Sequence, residues 1–247
     1  MAPTDFIVIA ETRSSSTNLI RWLAQLPASL VFADPKEIIH PHWLGLSVPY
    51  SERLRPVHPQ LDAWRQQRLR EFYGTDGAAY RFRGSKVTAE MSFPGFRGYL
   101  ESAGFKIIAL TRHDYIGQVL SMYYSQSARL WHRWDESTAA PRIRYRAADS
   151  SLRDAVQHLK NQRLLLSLLT EGLEHLRISR EEALESAGKQ KILDFLGASG
   201  LTAETPDVEL PLAPYGYRLL IENYDELLGD IAVLWLEVQE DERASYY

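Results

Sequence analysis

The sequence contains no cysteine. Disulfide cross-links, cysteine metal ligands and thiolate nucleophiles are therefore excluded. Long apolar runs are also missing. A pure apolar stretch such as residues 6–10 falls far short of the roughly 20 residues that a membrane-spanning helix takes, so no membrane partner is expected. No block of basic residues occurs. The 28 Lys and Arg stand against 32 Asp and Glu, for a net charge of −4, and the basic footprint of a nucleic-acid binder is absent. The N-terminus lacks a charged segment followed by the long apolar stretch of a secretory signal. These absences read as a cytoplasmic protein that binds any polyanion through a few locally placed Arg or Lys side chains.

What is present is ordinary core material. Of the 247 residues, 45% are hydrophobic and 24% charged, enough for a sizeable core in a single domain over residues 1–247. Residues 6–10, Phe-Ile-Val-Ile-Ala, form a continuous β-branched run, the pattern of a strand buried on both faces. A small polar turn follows at residues 11–16. Leu19, Ile20, Trp22, Leu23 and Leu26 then recur at helical spacing before Pro27. Residues 106–111 repeat the buried-strand pattern. Weaker strands are expected at 30–33, 80–87 and 176–178. Helices are expected at 61–73, 93–103, 114 to about 130, 152–170 and around 224–239. Ser179 and Glu182 have the spacing of a capping box, opening a helix that residues 191–196 complete before Gly197. Strands alternating with helices imply an α/β fold with right-handed crossovers and a mainly parallel central sheet flanked by helices. Residues 35–60 hold five prolines, and these, with residues 130–150, are expected as loops.

The segment Thr12-Arg13-Ser14-Ser15-Ser16-Thr17-Asn18 lies between the first strand and the first helix. Backbone N–H groups in such a turn, and in the first turn of the helix it opens, form a nest suited to phosphate. Ser14 to Thr17 add hydroxyl donors and Arg13 adds a forked charge. Ser and Thr also cap helices with no ligand at all. The segment is not a Walker A loop, because the Gly-Lys-Ser/Thr ending is missing. A second Arg, Arg112, follows the strand at 106–111, and Ser121 lies nine residues further on. Arg112 is suited to bidentate phosphate binding and Ser121 to a further hydrogen bond from the following helix.

The run Glu11-Thr12-Arg13-Ser14-Ser15-Ser16-Thr17 resembles the 5'-phosphosulfate loop of sulfotransferases that use PAPS (3'-phosphoadenosine 5'-phosphosulfate), whose usual form is Thr-Pro-Arg-Ser-Gly-Ser-Thr. Ser15 stands where that family has glycine, and Asn18 where it has leucine. Arg112 and Ser121 are similar to the family's 3'-phosphate motif. Arg112-x-Asp114-x-x-x-Gln118-x-x-Ser121, followed by Gln126 and Trp131, resembles the bacterial trehalose-sulfotransferase-like branch. Residues 176–182 and 192–197 resemble the family's Tyr-Glu-Asp-Leu segment and its Phe-Leu-Gly helix. The resemblance covers about residues 5 to 200. It implies a P-loop-containing, sulfotransferase-like fold with Arg13, Ser14, Ser15, Ser16, Thr17 and Asn18 on the 5'-phosphate, and Arg112 and Ser121 on the 3'-phosphate. It also implies a sulfotransferase activity that takes PAPS as donor and leaves PAP as product.

Sulfo transfer requires a base for the acceptor proton and positive charge for the leaving phosphate. Glu37 is the chosen base. Its segment Pro35-Lys36-Glu37 is similar to the Arg-Pro-x-Glu segment of the trehalose branch and to the Lys-Glu pair of heparan sulfate O-sulfotransferases, where the resemblance implies a glutamate base. Glu90 and His40 are the alternatives. Arg13 is assigned to the leaving phosphate, and Lys86 is a second cation at a strand end. No metal is expected, since His40 and His42 in a proline-rich loop are not a ligand set. Trp43, Tyr50, Trp131, His132, Trp134 and Tyr145 are candidates for an aromatic pocket around a small-molecule hydroxyl acceptor, a sugar or a natural product. No nucleic-acid or membrane partner is expected, and a homodimer stays open. Two other readings compete: a P-loop kinase without the usual lysine, and a catalytically inactive nucleotide-binding protein, which the serine at position 15 favours.

Overall fold

The computed structural model describes residues 3–34, 36–40, 59–76, 79–128, 141–147, 150–201 and 216–238. Its centre is a sheet of five strands, all parallel: β1 (Thr4–Ala10), β2 (Ser29–Val31), β3 (Phe82–Thr88), β4 (Lys106–Thr111) and β5 (His175–Ser179), in the order β2-β3-β1-β4-β5. The two strands with continuous apolar sequence, β1 and β4, are the central pair. Phe6, Val8 and Ala10 point to one face of the sheet and Ile7 and Ile9 to the other, all fully buried. That is the requirement that a strand covered on both faces places on its sequence.

On the Phe6 face lie α1 (Ser16–Leu23) and α7 (Ser186–Phe195), which contribute Ile20, Leu23 and Leu193. The Ile7 face is covered by α2 (Pro59–Gly74), α3 (Phe96–Ala103) and α5 (Ser150–Thr170), through Leu69, Leu100 and Leu166. A third core joins α4 (Tyr115–Ser127), α5, α8 (Tyr217–Leu220) and α9 (Tyr224–Glu237). The β1–β3 contact is tight. A Cβ at Gly84 would lie 2.0 Å from the Phe6 ring, so only glycine lets that ring lie on β3.

The connection from β1 runs toward β2 at one edge, and the connection from β4 runs toward β5 at the other. Their departure in opposite directions leaves a crevice beyond the carboxyl ends of β1 and β4, where open parallel sheets bind ligands. Both phosphate segments named from the sequence sit at its rim.

The expected strands and helices are present with shifted ends: β2 and β3 span 29–31 and 82–88 rather than 30–33 and 80–87, and α3 starts at Phe96 rather than residue 93. Two further differences are larger. The helix expected to open at Ser179 is two helices, α6 (Arg180–Leu184) and α7, because Glu185 is extended at φ −85°, ψ 149°. The close return of the chain explains the break, since a Cβ at Gly188 would lie 1.9 Å from the carbonyl oxygen of Glu182. The Ser179–Glu182 capping box itself is formed. Helix α4 ends at Ser127, and residues 129 and 130 lie outside those described.

Candidate functional site

The turn after β1 is left-handed at two residues that are not glycine, Arg13 at φ 64° and Ser15 at φ 63°. Side chains can occupy this region only at a steric cost. The turn is closed by the Ser14 amide and hydroxyl, which donate to the Glu11 carbonyl at 3.3 and 2.6 Å. Ser14 is fully buried, so its hydroxyl serves the turn and not the crevice. The Asn18 and Leu19 amides donate to the Ser15 carbonyl at 3.0 and 3.2 Å and start α1.

Three distant elements hold this turn. Gln162 on α5 grips Thr12 twice, accepting from its amide at 2.6 Å and donating to its hydroxyl at 2.9 Å. Arg13 donates through Nε to the Ser121 hydroxyl on α4 at 2.7 Å. Arg180, just past β5, donates through Nε to the Ser15 hydroxyl at 2.8 Å. Burial pulls the Arg13 guanidinium below its ordinary value, with the Tyr217 hydroxyl working against that and Arg112 adding to it.

At the end of β4, Arg112 donates to the Arg13 carbonyl at 3.2 Å and to Asp114 Oδ2 at 2.9 Å. Asp114 caps α4 by accepting from the Gly117 amide at 2.8 Å. Burial pushes the Asp114 carboxyl up, but the Gly117 amide and Arg112 outweigh it and hold it below its ordinary value. Glycine at 117 leaves room for this pair, since a Cβ there would lie 2.0 Å from Asp114 Oδ2 and 2.4 Å from Arg112 Nη2 and would push both side-chain ends aside. The sequence separated Arg13 and Ser121 into two phosphate sites; in the structure they are hydrogen-bonded and form one continuous surface.

Beneath that surface lies Glu11, 1% exposed. Its carboxylate accepts from the Arg112 amide at 3.2 Å and from Gln118 at 3.1 Å, and lies 3.2 Å from Arg163 Nε. Burial raises its pKa, while Arg163, Gln118 and the Arg112 amide work against that rise. Glu11 thus ties the ends of β1 and β4 to α4 and α5.

The base candidates lie beside the turn. Glu37 is buried, held by Ile38 and Ile39, which are 2% and 0% exposed. It lies 3.8 Å from Lys86 Nζ, and Lys86 donates to the Thr17 hydroxyl at 3.0 Å. Lys86 is buried rather than an exposed strand end. Burial holds its pKa below the ordinary lysine value, with Glu37 and Asp34 opposing and Arg21 assisting. Glu90, in the short 3-10 turn Ala89–Met91, lies 3.0 Å from His158 Nε2 on α5. Arg65 on α2 feels the charges of both Glu37 and Glu90, so the two carboxylates share one region. The His40 amide donates to the Glu37 carbonyl at 2.9 Å.

Tyr145 is not part of an acceptor pocket. It is buried in the third core, edge-on to Tyr123, with its hydroxyl on Asp230. Trp43, Tyr50, Trp131, His132 and Trp134 lie outside the described residues. Among the described residues, no group of three or more His, Asp and Glu is placed to hold a metal ion. No helix among them is long and apolar enough to cross a membrane. Sequence reasoning assigned no role to Gln162, Arg163 and Arg180. Each is a single polar residue in an amphipathic or strand-end context, and its partner is more than 100 positions away, or 51 in the case of Arg163 and Arg112.

No family model matches the chain and no curated protein matches it. Among solved structures it is similar to the sulfotransferase domain from the curacin biosynthetic pathway, at 15% identity and a TM-score of 0.53, over 99% of this chain and 96% of that one. It is also similar to a sulfotransferase from Alicyclobacillus acidocaldarius, at 17% identity and a TM-score of 0.48, over 99% of both chains. The first likeness spans nearly the whole length of both chains and establishes the fold: a five-stranded parallel sheet flanked by helices, shared with a sulfotransferase domain.

Proposed function

We propose that this protein is a sulfotransferase that moves the sulfo group of PAPS to a hydroxyl of a small-molecule acceptor and releases PAP. One observation carries the reading. At the crevice between β1 and β4, Arg13, Arg112 and Ser121 join the two strand-end segments into one surface, with Arg112 on the Arg13 carbonyl at 3.2 Å and Arg13 on Ser121 at 2.7 Å. A donor with a phosphate at each end of its ribose requires such a surface, because the 3'-phosphate distinguishes it from an ordinary adenylate. The available donors are guanidinium, ammonium and hydroxyl groups, which fit a polyanion.

In this reading Thr17, Lys86 and Arg13 hold the 5'-phosphosulfate, while Arg112 and Ser121 take the 3'-phosphate. Glu37 accepts the proton of the acceptor hydroxyl as that oxygen attacks sulfur. The bond from sulfur to the 5'-phosphate oxygen breaks, and Arg13 and Lys86 meet the charge left on the phosphate. Lys86 contacts both Thr17 of the phosphate turn and Glu37, so it links the leaving group to the base. The acceptor is assigned to the sugars and hydroxylated natural products, on the sequence resemblance to the trehalose-sulfotransferase-like branch. The place of action is assigned to the cytoplasm.

Thermal melting with nucleotides tests the reading. PAP without metal is expected to raise the melting temperature more than ATP with Mg²⁺. A larger shift with ATP and Mg²⁺ would assign the protein to the kinases instead. No shift with either would leave a fold without the chemistry.

A further inference from the structure

Ser15 gives up both usual advantages of a serine at the start of a helix. An N-cap serine normally has extended backbone angles and accepts an amide hydrogen bond from the first turn. Ser15 precedes α1 but is left-handed, at φ 63° and ψ 28°, and its side chain makes no capping bond. Glycine is the default residue in that conformation. The Ser15 hydroxyl instead accepts from Arg180 Nε at 2.8 Å.

The sheet register explains how Arg180 reaches it. Thr111 of β4 pairs with Ser179 of β5, so Arg112 and Arg180 are the next residues of adjacent parallel strands and leave the sheet on one edge. Arg180 lowers the pKa of Asp114, the partner of Arg112, which places it on the same side of the crevice. Its Nη1 lies 3.8 Å from Glu181, and its side chain is 24% exposed.

We propose that Arg180 is a positioning residue of the donor site. By holding Ser15 left-handed, it fixes the angle at which α1 begins, and so the placement of the Ser16 and Thr17 amides that precede the first hydrogen bonds of the helix. Serine at position 15 is then not a defect of the phosphate turn. It is the handle by which a third strand end holds the turn in shape, a role glycine cannot serve because it has no side chain. This inference rests on the donor-site reading above.

A double-mutant cycle tests it. Arg180→Ala is expected to weaken PAP binding about tenfold, which corresponds to about 1.4 kcal/mol. In a Ser15→Gly protein the same Arg180→Ala change is expected to alter PAP affinity by less than about twofold, because the handle is already gone. An equal loss in both backgrounds would overturn the proposal and make Arg180 a direct nucleotide contact. Unchanged affinity in Arg180→Ala alone would also overturn it. A nucleotide-free measurement separates this from the function itself. Amide exchange at Ser15, Ser16 and Thr17 is expected to speed up on Arg180→Ala in the Ser15 protein and not in the Ser15→Gly protein. If the unaltered protein ignores PAP, the sulfotransferase reading fails, and the exchange result alone decides whether Arg180 shapes the turn.

Discussion

The turn that leaves β1 and the turn that leaves β4 end side by side, but they are held in different ways. The β4 turn adds a local cap to its long-range contacts with Glu11, Arg13 and Arg163. Asp114 accepts from the Gly117 amide at 2.8 Å and from Arg112 at 2.9 Å, all within six residues of chain. The β1 turn contains no glycine and has two left-handed residues, Arg13 and Ser15. Ser14 closes it on the Glu11 carbonyl, and Gln162, Ser121 and Arg180 hold it from outside. The β4 turn has a cap within its own chain; the β1 turn, closed locally by Ser14 on the Glu11 carbonyl, draws more of its side-chain bonds from distant elements. Side-chain contacts from distant elements are thus a second way to hold a strained turn, with backbone strain balanced by hydrogen bonds where glycine would have avoided the strain.

Changes that touch one turn and spare the other sharpen that contrast. The largest effect is expected from a residue in neither. Glu37→Gln should lower sulfo transfer by about 100- to 10,000-fold, the usual range for losing a general base, with PAP affinity unchanged. Turnover of labelled PAPS against a panel of sugars would measure it, and normal turnover would move the base to Glu90. Next comes the β4 turn. Arg112→Ala should weaken PAP binding about 100-fold, near 2.7 kcal/mol, while the affinity for AMP, which lacks the 3'-phosphate, falls much less. Calorimetric titration with both nucleotides would show the difference, and equal losses would remove Arg112 from the 3'-phosphate.

The β1 turn should yield to a change made far from it in sequence. Gln162→Ala strands the half-buried Thr12 amide and should cost about 1 kcal/mol of stability, the low end of the range for a buried donor left unpaired, together with a several-fold loss of PAP affinity. Chemical denaturation and titration would read the two effects, and full affinity would mean that the turn holds itself. The smallest effect is a pH dependence. Lys86 sits below its ordinary pKa in the free protein, and a bound dianion would raise it again. PAP affinity is therefore complete below the free-protein value. It should fall a few-fold as pH rises through that value, which lies below the ordinary lysine value. Lys86→Met should bind more weakly and without that slope.

The same contrast explains what could be read from the sequence. β4 was legible to the residue at 106–111, because a strand covered on both faces leaves an unbroken apolar run. The capping box at Ser179 and Glu182 follows a rule that spans only a few positions. The contacts that shape the β1 turn follow no such rule. Nothing in the neighbours of Gln162 or Arg180 says that each meets a residue 150 or 165 positions away. Lys86 was a doubtful strand end in the sequence and is buried beside Thr17, since its surroundings depend on α1. Tyr145 read as pocket material for the opposite reason: an aromatic residue in an unpatterned segment gives no sign that a core from α8 and α9 will close over it.

The ladder of hydrogen bonds in the sheet acts as a measuring rule for the site. Ala10 is level with Leu110, and Thr111 with Ser179, so three arginines reach the crevice from three strands aligned in step. Each position along a strand is about 3.3 Å, and a slip of one reverses which face a side chain takes. A site of this kind tolerates displacements of only about 0.5 Å. Sheet pairing therefore offers no intermediate settings: either every strand is in register and the arginines converge, or a single slip disperses them.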